Sequence, residues 1–193
     1  MTDPPAFPGD EVPANCLRVS VPGAAAMRDL GARLASLLRP GDLVVLSGSL
    51  GAGKTTLVQG IATGLDVRGP ITSPTFVIAR VHPSLRGGPD LVHADAYRLN
   101  SQLEVDDLDL DADVDHSVTV VEWGEGLVEG LTTGHLHLCI DWAERGRHTL
   151  AADATADEPR IVAVAGRGDR WSDVASLLAQ ALGSGAESGI QLF

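Results

Sequence analysis

Residues Gly48-Ser49-Leu50-Gly51-Ala52-Gly53-Lys54-Thr55 fit the pattern G-x-x-x-x-G-K-[ST]. Glycines at 48, 51 and 53 permit backbone angles that turn successive N–H groups toward one centre, which is the geometry of a phosphate cradle. A helix opening at Lys54 adds unpaired N–H donors and about half a positive charge. Lys54 supplies a full charge to bridge β- and γ-phosphates, and the Thr55 hydroxyl is a ligand type for Mg²⁺. The chemistry expected is binding of a magnesium nucleotide, with Ser49, Leu50, Gly51, Ala52, Gly53, Lys54, Thr55 and Thr56 around the phosphates.

Hydrolysis needs a carboxylate as well, to help hold Mg²⁺ or to orient water, and such acids usually end a neighbouring apolar strand. Val118-Thr119-Val120-Val121 leads into Glu122, and Leu91-Val92-His93-Ala94 leads into Asp95. Lys54, Asp95 and Glu122 are therefore the catalytic candidates, and Thr55 and Glu122 the metal ligands. His93 reads as a packed or hydrogen-bonded strand histidine rather than one that polarises water, and Ser73 and Thr75 as hydroxyls either of a plain turn or of a switch segment.

These residues must be positioned by a scaffold. Leu43 to Leu46 is a continuous apolar run too short for a helix, so it reads as a strand covered on both faces. The spacing of Met27, Leu30, Leu34, Leu37 and Leu38 predicts a helix over 24–39, stopped by Pro40-Gly41. A second helix is expected over Lys54 to Leu65. Further strands are expected at Leu17–Val21, Phe76–Val81, Leu91–Ala94, Ser117–Val121 and Ile161–Ala165. Residues 135–141 and 147–151 read as a hairpin about the turn Ala143-Glu144-Arg145-Gly146, and 172–182 as a last helix with Ser172 as N-cap. Gly69 to Pro74 reads as a loop. The pattern is α/β with a mixed sheet. Residues 1–15 read as a flexible N-terminal arm and 183–193 as a flexible C-terminal tail, leaving one domain over 16–182.

Lys plus Arg number 14 and Asp plus Glu 26 in 193 residues, a net charge of -12. That balance argues against sequence-independent nucleic-acid binding and against docking on anionic membrane. It also makes the cradle at 48–55 a concentrated positive spot on a repelling surface. No apolar run reaches membrane-spanning length and the first residues carry no export signal, so a cytoplasmic protein without membrane contact is expected. Cys16 and Cys139 read as free thiols in that compartment.

Gly48 to Thr56 (GSLGAGKTT), Ser73-Pro74-Thr75, His93-Ala94-Asp95-Ala96-Tyr97-Arg98 and Val121-Glu122-Trp123, in this order and at these distances, resemble the bacterial ATPase family TsaE. The likeness runs from about residue 20 to 165. It implies a single small P-loop NTPase domain with a mixed, partly parallel β-sheet flanked by helices, and ATP and Mg²⁺ as ligands. It implies slow ATP hydrolysis supporting a TsaD-type catalytic subunit and its TsaB-type paralogue. That complex transfers threonylcarbamoyl to N6 of the adenosine beside the anticodon in ANN-decoding tRNAs, with the tRNA held mainly by the partners. The resemblance further implies that Thr55 and Glu122 reach Mg²⁺, that Asp95 is required for activity, that Ser73 to Phe76 act as a switch near the γ-phosphate, and that Trp123 sits near the nucleotide. Many family members carry Asp where Ser49 stands, which puts any role of that acid in doubt here.

Other signals have plainer readings. His135, His137, Cys139 and Asp141 share one strand face, but alternate residues about 6.7 Å apart cannot all reach one ion. They read as a polar outer face, with Leu136, Leu138 and Ile140 inward. Asp107, Asp109 and Asp111 imitate a calcium loop but lack its glycine and its bidentate acid, so they read as a solvated acidic face. A small-molecule kinase would share the phosphate loop, yet Arg80, Arg86 and Arg98 are scattered rather than gathered in a lid. A nucleotide-sensing module without turnover is the other alternative.

Overall fold

The computed structural model describes residues 16–75, 78–99, 101–106, 114–143, 158–183 and 189–193. The apolar run at 43–46 becomes β2 (Leu43–Gly48), whose first five residues are buried. It lies between β5 (Ser117–Glu122) and β6 (His135–Trp142), parallel to both. β4 (Asp90–Asp95) extends the parallel core beyond β5. Antiparallel strands complete both sides: β3 (Ala79–His82) next to β4, and β7 (Arg160–Gly166), β1 (Leu17–Val21) and β8 (Gln191–Leu192) beyond β6. The eight-stranded order is β3-β4-β5-β2-β6-β7-β1-β8.

Three helices cover one face: α1 (Ala24–Ala35), α2 (Lys54–Leu65) and α4 (Val174–Leu182). Their apolar stripes bury Met27, Leu30, Leu57, Ile61 and Leu178 against Val44, Leu46, Val120, Leu136 and Leu138. On the other face, a smaller cluster joins Leu43, Val45, Val92, Ala94 and Val121 to Val128 and to Val105 of the short α3 (Gln102–Asp106). Helices α1 and α2 touch almost backbone to backbone. A Cβ at Gly60 would stand 2.1 Å from the Arg28 carbonyl oxygen, and one at Gly31 2.3 Å from that of Leu57.

The chain departs from its sequence pattern in several places. Helix α1 stops at Ala35 rather than 39. Residues 36–38 continue in tighter turns, their N–H groups bonding to carbonyls three residues back, and the Ser36 hydroxyl donates to Arg33 O at 2.7 Å. β3 begins at Ala79, because Ile78 takes a left-handed φ of 73° while its N–H donates to Pro74 O; Phe76 and Val77 lie outside the described residues. The N-cap of α4 is Asp173, whose carboxylate accepts the Ser176 N–H; Ser172 instead donates to Asp169 O. Of the expected tail, Gln191 and Leu192 pair with β1 and Ile190 is buried. The strand antiparallel to β6 is β7; the expected hairpin arm at 147–151, its turn beyond Ala143, the arm 1–15 and Asp107, Asp109 and Asp111 lie outside the described residues.

The polar side of β6 is a correction as well. Leu136, Leu138 and Ile140 do face the helices, but His135, His137 and Cys139 are buried, not solvated. His137 Nε2 lies 2.9 Å from the Ser47 hydroxyl. Burial pushes the imidazole down to about 4, with positive neighbours His135 and Arg167 acting in the same direction. Cys16 and Cys139 are free thiols.

Candidate functional site

β2 delivers the chain into a glycine-rich turn at its carboxyl end, and α2 starts directly after it. Gly48, Gly51 and Gly53 hold φ values of 126°, 76° and 113°. At Gly48 the demand is also steric, since a Cβ would meet Ile140 O at 2.0 Å. Gly53 is the N-cap of α2, and no side chain caps its first turn. The first amides of α2 therefore point at the site as free donors.

Lys54 and Thr55 open that helix. The Lys54 ammonium donates to Gly48 O at 2.8 Å and Ser49 O at 3.0 Å, and stands 3.6 Å above the centre of the Trp123 ring. Burial pushes this lysine down to about 8, opposed by the nearby Glu122 and Asp95 carboxylates. Thr55 Oγ1 donates to Glu122 Oε1 at 2.8 Å and Oε2 at 3.1 Å.

Parallel pairing sets the two acids side by side: Asp95 of β4 is opposite Glu122 of β5, which is itself opposite Leu46 of β2. Both carboxylates are buried on the helix side of the sheet. Glu122 Oε1 also lies 2.9 Å from Nε2 of His93, a fully buried residue two positions before Asp95. Asp95 Oδ2 accepts from the hydroxyls of Ser73, at 3.0 Å, and Thr75; Oδ1 accepts the Tyr97 N–H at 3.0 Å. The Ser73 and Thr75 hydroxyls thus tie the loop 72–75 to a β4 acid.

Trp123 follows β5 in a left-handed conformation, φ 59°, its N–H bonded to Leu46 O. That kink turns the indole over Lys54 and against Tyr97, with ring centres 5.2 Å apart and planes at 58°. The result is a cleft of about 380 Å³, to which Gly51, Lys54, Thr55, Asp95, Glu122 and Trp123 all contribute. Leu50, Gly53, Thr56, Ser73 and Thr75 complete its wall. Ser49 and Ala52 do not line it; Ala52 is buried, and Ser49 contributes its carbonyl to Lys54 while its own hydroxyl has no partner among the described residues. Tyr97 belongs to the cleft although the sequence assigned it no role. Its position two residues past a strand-ending acid was the available signal.

The donor set fits a magnesium triphosphate. Mg²⁺ takes one or two protein oxygens and fills its remaining places with water and phosphate, and Thr55 with Glu122 offer that minimum. Lys54 and the first amides of α2 supply the anion side.

The family model for "Threonylcarbamoyl adenosine biosynthesis protein TsaE" matches residues 21–155. Among curated proteins, the chain is 62% identical over 147 residues to a tRNA threonylcarbamoyladenosine biosynthesis protein TsaE of Streptomyces coelicolor, covering 76% of this chain and 94% of that one. It is 56% identical over 133 residues to a protein of the same name in Mycobacterium tuberculosis, covering 65% and 77%. Among solved structures, YdiB of Bacillus subtilis superposes with a TM-score of 0.65 at 24% identity, over 86% of this chain and 95% of that one, a likeness of fold.

Proposed function

The chain belongs to the TsaE family of tRNA threonylcarbamoyladenosine biosynthesis, and from that premise we propose that it is a cytoplasmic, Mg²⁺-dependent ATPase serving the threonylcarbamoyl-transfer complex. The observation that carries this reading is the convergence of Lys54, Thr55, Glu122 and Asp95 in one cleft at the mouth of a phosphate-binding turn.

In this mechanism the amides of Gly51 and of Gly53 to Thr56 wrap the β-phosphate, while the Ala52 N–H stays on the Ser49 carbonyl, and Lys54 leaves its loop carbonyls to bridge the β- and γ-oxygens. Thr55 and Glu122 hold Mg²⁺, which when bound neutralises phosphate charge. Trp123 and Tyr97 shield the cleft from one side. Asp95 holds the Ser73 and Thr75 hydroxyls beside the γ-phosphate position and shares with Glu122 the work of orienting water. Loss of the γ-phosphate then alters the hold on residues 72–75, as in other phosphate-controlled loops. The partners are a TsaD-type catalytic subunit and a TsaB-type paralogue, and the tRNA substrate is bound mainly by them. The net charge of -12 favours protein partners over direct phosphate-backbone contact.

The test is phosphate release by the full chain, alone and with the purified partner pair, for wild type, Lys54→Ala and Glu122→Ala. Turnover is expected to vanish in both variants. Unchanged turnover in both ends this mechanism.

A further inference from the structure

We propose that His93 is a positioning residue for Glu122: its imidazole fixes the carboxylate in the orientation that receives the metal. The proposal rests on the Mg–ATP reading of the cleft but concerns a residue that reading does not use.

His93 is 0% exposed, in the middle of β4, flanked on its own face by Leu91 and opposite Val120. A polar ring buried there costs free energy unless both nitrogens are bonded. Only one is. Nε2 lies 2.9 Å from Glu122 Oε1, whereas Nδ1 has no hydrogen-bond partner among the described residues. As a packing element, an aliphatic side chain would serve this position at least as well. What the imidazole adds is a single directed donor. A carboxylate oxygen that already accepts the Thr55 hydroxyl accepts here as well, so Nε2 is the donor toward Glu122.

The two donors reach Glu122 from opposite elements. Thr55 approaches from α2 and His93 from β4, and both meet at Oε1, at 2.8 and 2.9 Å. Among the described residues Oε2 has only the longer Thr55 contact of 3.1 Å. His93 therefore saturates one oxygen and leaves the other with lone pairs to spare. It also holds Glu122 when the Thr55 hydroxyl turns to a metal. Partners of this kind set the orientation of a metal ligand, and their loss typically costs about 10- to 100-fold in metal affinity.

The experiment is a calorimetric titration of the full chain with a non-hydrolysable ATP analogue, in EDTA and across a Mg²⁺ series, for wild type, His93→Leu, His93→Gln and His93→Asn. The glutamine amide nitrogen falls where Nε2 stood, and the asparagine nitrogen where Nδ1 stood. Affinity in EDTA is expected to be equal for all four. The Mg²⁺ concentration at half-maximal tightening is expected to rise about tenfold or more in His93→Leu and His93→Asn, and to stay near wild type in His93→Gln. A wild-type Mg²⁺ response in His93→Leu and His93→Asn overturns the proposal. So does an equal loss of affinity in EDTA, which marks a purely structural role. Should His93→Leu fail to fold, the Gln and Asn variants decide alone, and equal Mg²⁺ responses from them overturn it. A wild-type affinity indifferent to Mg²⁺ removes the Mg–ATP reading itself and is read separately, before any variant is compared.

Discussion

Thr55 Oγ1, on the first turn of α2, donates to both carboxylate oxygens of Glu122, at 2.8 and 3.1 Å, from a residue 67 positions away in the chain. The contact joins α2 to the end of the neighbouring strand, and in the proposed mechanism the same two groups hold Mg²⁺. Thr55→Val keeps the shape and removes the hydroxyl. Turnover measured as phosphate release is expected to fall roughly 10²-fold or more, as when one preorganised polar group is deleted from a charged transition state, with Thr55→Ser retaining most of it.

Asp95 ties down Ser73 and Thr75 by hydrogen bonds to a charged acceptor, the stronger class of such bonds. Asp95→Asn replaces an accepting oxygen by a donor. The amides of Thr72, Ser73 and Thr75 are expected to exchange with deuterium roughly tenfold faster or more, matching a loss of about 1.5–3 kcal/mol. Exchange in β2 is expected to be unchanged.

Gly60 sits where α2 meets α1, with the Arg28 carbonyl oxygen 2.1 Å from the place of a Cβ. Alanine gains about 1 kcal/mol of helix propensity over glycine. The obstacle is backbone, which cannot swing aside, so the helices must separate at a cost of about 1–3 kcal/mol. Gly60→Ala is expected to lower the urea midpoint without changing the slope.

His137 has its pKa pushed down by burial, from 6.5 to about 4. Between those values the unfolded chain takes up a proton that the folded chain refuses. Stability from this group is therefore complete above pH 6.5 and lost as pH falls toward 4, by up to about 3 kcal/mol. Burial lowers His135 and His82 in the same sense. Denaturant titrations at pH 7 and pH 4.5 are expected to show a smaller difference in His137→Gln than in wild type.

The parts of this molecule written in local spacing could be read from it. The glycines at 48, 51 and 53, the apolar run of β2 and the start of α2 at Lys54 each follow from neighbours in sequence. Glu122 and Asp95 were legible as acids that end strands. The His93–Glu122 contact was not, because it depends on β4 and β5 pairing in parallel with His93 opposite Val120. Alternation along β6 separated two faces but did not tell that both are buried, since burial depends on what packs against them. α3 was hidden by the acidic run around it, and β8 by the run of small residues before it, because both owe their structure to neighbours rather than to propensity.

The left-handed kink at Trp123 has an optical consequence. The chain holds three tryptophans: Trp171 is sealed in the core, and Trp142 lies under the Arg160 guanidinium on β6. Only Trp123 stacks beneath the ammonium of Lys54. In the proposed mechanism a phosphate draws the ammonium away and changes the field across that indole, so its emission becomes a built-in lamp for nucleotide arrival, free of background once Trp142 and Trp171 are replaced by phenylalanine.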